Sequence, residues 1–331
     1  MPASLMLSLG PRALPARSGM SRGARKVAVI GAGNVGATCA FVLAQKNVGQ
    51  IVMLDIYEGF AKGKALDMSQ GGQVLNYDGK ISGTKDYSDI AGADVVVVTS
   101  GFPRMPGMSR EDLVGKNADI ISEVGAGIRD HAPDSVIVMV TNPLDLMTYH
   151  MQRVTGFPPE RVVGQAGILD SARMTHFIAK ELGVSNEDVQ AMVLGGHGDT
   201  MVPLPRYTTV SGIPITQLMD DETIDAICKR TAGGGGEIVK LLEKGSAFYA
   251  PGSAAAIMAE SILNDRKRSL PCSAYLTGQY GLDDIYIGVP VVLGRNGVES
   301  IIELDLEESE LSSLQGSARF YKEQLSEILG Y

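Results

Sequence analysis

From Lys26 onward the apolar positions alternate between two periods. Lys26-Val27-Ala28-Val29-Ile30 is a short, nearly continuous apolar run of the kind a buried strand requires, and Val35 through Leu43 continues it as an apolar helix. Gln50-Ile51-Val52-Met53-Leu54-Asp55 returns to strand, which completes a βαβ unit. Asp94–Thr99 and Ser135–Thr141 are further β-branched runs with helical segments between them. This alternation predicts an α/β fold, a Rossmann-type doubly wound parallel sheet with right-handed crossovers, over residues 26–163.

The texture changes over 164–331. Helical patterns at Ile168–Leu182, Asp221–Glu243 and Ser253–Asn264 are interleaved with strand patterns at Val189–Leu194, Ser273–Thr277, Ile285–Leu293 and Gly297–Leu304. Asn296-Gly297 marks a hairpin turn, and Ser309–Leu329 reads as a closing amphipathic helix. The second half is therefore expected to be an α+β catalytic domain.

Composition narrows the function. The 331 residues carry a net charge of −9, without a basic run interleaved with aromatics, which argues against nucleic acid or an anionic membrane surface as partner. Cys39, Cys228 and Cys272 form no Cys-x-x-Cys or Cys/His cluster, so neither a structural metal nor a disulfide framework is expected. No apolar stretch approaches the roughly 18 residues of a membrane span. Residues 1–25 differ from the rest, with four arginines, three prolines and no acid. They read as a disordered arm, as a start upstream of a true one at Met20, or as a transit peptide. The first two place the protein in the cytoplasm, the third in the mitochondrial matrix.

The candidate chemistry lies where strands end. Gly31-Ala32-Gly33-Asn34-Val35-Gly36 is a Gly-x-Gly-x-x-Gly between a strand and a helix: a tight turn, a close backbone approach to a pyrophosphate, and a helix N-terminus facing the negative charge. Asp55, at the end of the second strand, is placed to accept hydrogen bonds from ribose hydroxyls. Its carboxylate would repel a 2′-phosphate, and Ile56-Tyr57-Glu58 supplies no arginine, so NAD is favoured over NADP. The Asp94–Thr99 strand runs into a loop, Gly101 to Leu113, that carries Arg104 and Arg110 among prolines and glycines. Two guanidiniums there suit a small dianion, and a pair of solvated surface arginines is the equal alternative. Thr141-Asn142-Pro143 ends the next strand and offers a donor and an acceptor, or a plain Asx turn.

One histidine stands apart. His197 lies among glycines in Gly195-Gly196-His197-Gly198-Asp199 at the end of an apolar strand. Asp170 and Arg173 share a helix face 27 residues before it, in Leu169-Asp170-Ser171-Ala172-Arg173. An aspartate can orient an imidazole and an arginine can fork onto a carboxylate, although spacing alone does not bring Asp170 to His197.

Taken in order, Gly31–Gly36 with Asp55, the Arg104/Arg110 loop, Val140-Thr141-Asn142-Pro143, Leu169–Arg173 and Gly196–Asp199 resemble the lactate/malate dehydrogenase superfamily over nearly the whole chain from Lys26. Within it the chain is most similar to the lactate-dehydrogenase-like branch that acts on malate. The resemblance implies reversible hydride transfer between malate/oxaloacetate and NAD+/NADH, with lactate or another 2-hydroxy acid as the alternative substrate. It implies that His197 gives and takes the proton, Asp170 orients it, Arg173 clamps the C1 carboxylate, Arg110 polarises the carbonyl and Asn142 contacts the substrate. Arg104 occupies the position where the malate-specific members carry arginine and the lactate-specific ones typically carry glutamine. Cofactor contacts are implied at Gly31, Ala32, Gly33, Asn34, Val35, Gly36, Asp55, Asn117, Val140, Thr141 and Asn142, and assembly as a homodimer or homotetramer. The Gly233–Gly236 run resembles the family's pocket wall, whereas read alone it is a flexible linker.

Overall fold

A computed structural model describes residues 25–102 and 110–331, Arg110 by its backbone alone. Residues 1–24, with all but the last position of the leader, and residues 103–109, with Arg104, lie outside the described residues.

The first half is a parallel sheet wrapped by helices. In chain order it consists of β1 (Lys26–Ile30), α1 (Asn34–Gln45), β2 (Gln50–Leu54), α2 (Glu58–Leu75), β3 (Ile81–Thr84), β4 (Val95–Val98), α3 (Arg110–His131), β5 (Val136–Met139), α4 (Leu144–Thr155) and β6 (Val162–Gly164). The four valines of β4 are fully buried because helices cover both sheet faces, and such a strand shows no alternation of polar and apolar residues. Strand order is β3-β2-β1-β4-β5-β6, so the winding reverses between β1 and β4. A crevice opens beyond the carboxyl ends of those two strands, where ligands of open α/β sheets bind.

The sheet does not stop at β6. After α5 (Gly167–Leu182) come the short strands β7 (Val189–Gln190), β8 (Val193–Gly195), β9 (Met201–Pro203), β10 (Thr209–Val210) and β11 (Ile213–Pro214), then α6 (Asp221–Leu242) and α7 (Tyr249–Leu263). The chain closes with β12 (Arg268–Thr277), β13 (Asp283–Gly294), β14 (Gly297–Ile301) and α8 (Glu308–Gln324). β12 joins β6 through Ser273 and Gly164, and β13, β14, β8 and β9 extend the same sheet to 11 strands with antiparallel pairs. The expected division at 163/164 thus falls inside β6.

Several expectations are corrected in detail. Val189–Leu194 is two strands rather than one: β7 belongs to a small sheet with β10 and β11, and β8 to the large sheet. The last strand ends at Ile301, and α7 begins four residues earlier than its pattern suggested, at Tyr249. Gly233–Gly236 is not a linker, since α6 runs through it unbroken. The buried stripe Ile224, Ile227, Thr231, Gly234 keeps helical spacing across the glycines, and Asp220 caps the helix by accepting the Thr223 N–H. Among the described residues no helix is long and apolar enough to cross a membrane.

Candidate active site

The crevice at β1 and β4 is shaped for a backbone-bound anion. Gly31 turns the chain out of β1 at φ +98°, and its N–H donates to the Leu54 carbonyl at 2.8 Å. A Cβ on Gly36 would overlap the carbonyl oxygen of Gly31, so only glycine lets α1 start this close to the strand. No side chain caps α1 at Gly33, which leaves the helix's first N–H groups without an intrahelical partner, and the space over Gly33 is open.

Asp55 closes one side of this crevice. Its Oδ2 accepts the Ala32 N–H at 2.8 Å and its Oδ1 the Tyr57 N–H at 3.0 Å, which holds the carboxylate at the end of β2 with lone pairs to spare. Lys64 of α2, to which the sequence offered no pointer beyond a charged helix face, donates to the Ala32 carbonyl at 2.9 Å. Burial draws the pKa of this ammonium down, and the Asp55 charge opposes that. Ser100, whose N–H would lie 2.7 Å from a Cβ on Gly31, keeps a buried Oγ without a partner among the described residues. Open helix N–H groups, a fixed carboxylate and an unsatisfied hydroxyl together suit a dinucleotide's pyrophosphate and ribose.

Thr141 and Asn142 end the neighbouring strand. Thr141 Oγ1 donates to the Ser100 carbonyl at 2.7 Å, and the exposed Asn142 lines a cleft of about 320 Å³ with Leu113, His197, Asp199 and Tyr321. The Val140 N–H continues the ladder to Val98 at 2.9 Å. Asn117 is fully buried on α3, its Oδ1 accepts the Phe102 N–H at 2.7 Å, and its Nδ2 donates to the Asn142 carbonyl at 2.6 Å and to that of Phe102 at 3.2 Å. The carboxamide joins the root of the arginine loop to the Asn142 turn.

The structure brings His197, Asp170 and Arg173 together. Asp170 and Arg173 sit in the first two turns of α5, and His197 leaves the end of β8. Asp170 is 1% exposed. Its Oδ2 lies 2.8 Å from His197 Nδ1 and its Oδ1 accepts from Arg173 Nη1 at 3.0 Å. A carboxylate at Nδ1 requires the proton there, which leaves Nε2 as the imidazole's free atom in the cleft. Burial alone would lower the pKa of His197, but the charge and hydrogen bond of Asp170 outweigh it, and the net shift is upward from 6.5.

Arg173 is held and yet unfinished. Its Nε is buried without a hydrogen-bond partner among the described residues, and its stem runs along α6, where a Cβ on Gly234 would come within 3.2 Å of Cδ. From behind, α8 supports the histidine loop: Ser317 Oγ accepts the Gly196 N–H at 2.9 Å, and Tyr321 donates to the His197 carbonyl at 3.3 Å. Asp145, in the first turn of α4 and overlooked in the sequence because an acid there reads as a helix-start residue, accepts the His197 backbone N–H at 2.9 Å.

Both halves of the chain are similar to known proteins. Residues 25–164 match the family described as lactate/malate dehydrogenase, NAD binding domain, and residues 168–330 match lactate/malate dehydrogenase, alpha/beta C-terminal domain. A malate dehydrogenase of Roseiflexus sp. (strain RS-1) is 56% identical over 293 residues, 88% of this chain and 95% of the relative. The apo malate dehydrogenase of Picrophilus torridus superposes with a TM-score of 0.89 at 50% identity, over 91% of this chain and 96% of that one. A lactate dehydrogenase of Cryptosporidium parvum, solved with lactic acid and nicotinamide adenine dinucleotide, does so with a TM-score of 0.88 at 41% identity, over 91% and 97% of the two chains.

Proposed function

The chain belongs to the lactate/malate dehydrogenase family, and from that premise we propose that it is an NAD-dependent malate dehydrogenase in which His197, Asp170 and three arginines carry the reaction. The observation that bears most weight is the Asp170 carboxylate divided between His197 and Arg173 at the cleft, at 2.8 and 3.0 Å. Gly31–Gly36 and Asp55 would hold the nicotinamide cofactor, which would supply a hydride for reduction as NADH and accept one in the reverse direction as NAD+.

The chain's own residues bind and orient the substrate and move the proton. Asp170 holds the imidazole by Nδ1 and stabilises its protonated form, so that Nε2–H can be given to the oxygen of a ketone and taken back from an alcohol. Arg173 sets a fork for the carboxylate next to that carbon, and its unpartnered buried Nε gains an acceptor when a carboxylate arrives. Asn142, in the same cleft, offers its amide to the substrate. Holding the carboxylate and the carbonyl at once converts binding energy into orientation.

Arg110 and Arg104 enter on the strength of their sequence positions. Arg110 opens α3 and is assigned to the growing alkoxide; Arg104 is assigned to the second carboxylate. With pyruvate in place of oxaloacetate, Arg104 would face a methyl group and be left a desolvated, unpaired cation, which costs several kcal/mol. The 26–163 half accordingly holds the cofactor and supplies Arg104, Arg110 and Asn142, the 164–331 half supplies Asp170, Arg173 and His197, and the protein assembles as a homodimer or homotetramer.

The test is the initial rate of NADH oxidation with oxaloacetate and with pyruvate at equal concentration. The expected result is a rate with oxaloacetate that exceeds that with pyruvate on the order of a thousandfold. Faster reduction of pyruvate would overturn the malate assignment.

A further inference from the structure

Proton transfer at His197 as derived so far uses one of the two carboxylates that touch this residue. The other, Asp145, is 2% exposed and comes from a different half of the sheet, in the first turn of α4 directly after Pro143 and Leu144. Its Oδ2 accepts the His197 backbone N–H at 2.9 Å, and its Oδ1 accepts the Ser273 hydroxyl at 2.7 Å. Ser273 is fully buried on β12 at the residue that pairs with Gly164 of β6, where the two halves of the sheet meet. Both oxygens are thus occupied by donors, the pattern of an ionised carboxylate, and the α4 N-terminus adds its dipole.

We propose that Asp145 is a positioning residue for His197: it ties the histidine's backbone to the turn that carries Asn142 and adds a second negative charge behind the imidazole. The inference rests on the proposed hydride-transfer reading, since it concerns the proton that His197 exchanges. Asn142 stands three residues before Asp145 in the same turn, so a fixed Asp145 sets the spacing between Asn142 and His197, two groups that line the cleft. The charges facing His197 are Asp170 and Arg173 from α5 and Asp145 from α4, with the Tyr321 hydroxyl of α8 on its carbonyl. Asp170 and Asp145 favour the imidazolium and Arg173 opposes it. Burial pushes the Asp145 carboxyl upward, the Ser273 and His197 donors pull it back only in part, and the net shift is upward.

Two substitutions separate tether from charge. Asp145→Asn keeps an acceptor for the His197 N–H and a polar partner for Ser273 while removing the charge; Ser273→Ala leaves the carboxylate and its bond to the His197 N–H and removes the donor that fixes its other oxygen. In Asp145→Asn the pH at which oxaloacetate reduction falls off should move down by roughly 0.5 to 1 pH unit, with the KM for NADH within about twofold. In Ser273→Ala that pH should stay in place while kcat drops roughly three- to tenfold, again with little change in the KM for NADH. An unmoved pH limb in a folded Asp145→Asn, or an unchanged kcat in Ser273→Ala, would overturn the proposal. If Asp145→Asn does not fold, Ser273→Ala decides by the same kcat criterion. Titration of the His197 ring by NMR, assigned with His197→Gln, needs no turnover. A wild-type protein inactive on every 2-keto acid would therefore defeat the malate reading while the ring titration still tested Asp145.

Discussion

A Cβ on Gly234 would stand 3.2 Å from the Cδ of Arg173, whereas one on Gly233, a residue earlier on α6, would meet nothing within 4 Å. The two glycines therefore differ in function although they are neighbours in a run of four. Gly233→Ala is expected to leave catalysis alone and to stabilise the helix by about 0.5–1 kcal/mol. Gly234→Ala should push the arginine stem aside and raise the KM for oxaloacetate several-fold. Thermal melts and steady-state kinetics on both variants check this; equal effects at the two positions would contradict it.

Asp170→Asn leaves the shape of the carboxylate and removes its charge. The imidazole then loses the partner that fixes its tautomer, and the expected fall in kcat is on the order of a hundredfold or more, with the KM for NADH little changed. A loss confined to KM would mean that Asp170 serves only to hold Arg173.

The pH dependence follows from the raised pKa of His197. Oxaloacetate reduction needs the imidazolium, so its rate should hold through pH 6.5 and decline as pH rises through the higher folded value. Malate oxidation needs the neutral ring and should rise over the same interval. The ion pair with Asp170 contributes stability in full below the unfolded histidine pKa, and that contribution disappears as pH rises through the folded one. Rate profiles in both directions provide the measurement, and parallel profiles would remove His197 from the proton step.

Gly36→Ala should cost NADH affinity at least about tenfold and about 1–3 kcal/mol of stability, because the added methyl group overlaps the Gly31 carbonyl rather than a side chain that can yield. Fluorescence titration of NADH and a denaturant melt would show both. Unchanged affinity would dissociate the glycine turn from the cofactor.

Arg104→Gln is expected to lower the oxaloacetate-to-pyruvate ratio of kcat/KM on the order of a thousandfold. Equal losses with the two substrates would take specificity away from this residue.

What the sequence made legible was local. The glycine turn and Asp55 belong to one βαβ unit, whose geometry sets the end of β2 beside the end of β1 although Ala32 and Asp55 are 23 residues apart. Asp170 and Arg173 could be assigned to one helix face, but their meeting with His197 depends on how α5 packs against β8, and no spacing rule carries that. Gly233–Gly236 read alone is a linker, while the longer pattern Asp221–Glu243 is helical; the helix prevails, and Gly234 packs against the Arg173 stem. Val189–Leu194 looked like one strand because its interruption at Ala191-Met192 is apolar. The bonds by which Asn117 joins Phe102 to Asn142 span 15 and 25 residues and leave no local signal. Asp145 and Lys64 left no readable trace, since an acid in a first helical turn and a lysine on a helix are commonplace in any sequence.

The support of the histidine loop by α8 has a consequence for how the protein becomes active. Ser317 and Tyr321 hold the backbone at Gly196 and His197, yet they are translated more than a hundred residues after it, with separations of 121 and 124 positions. The Gly31 turn and the Asp55 carboxylate are closed by hydrogen bonds within residues 31–57, and α7 backs α1 where Gly252 meets Val35 and Thr38. A growing chain can thus shape its dinucleotide crevice before α8 is made, while the proton-transferring side of the cleft waits for almost the last helix. A chain that ends before Ser317 lacks both contacts by which α8 holds the backbone of Gly196 and His197.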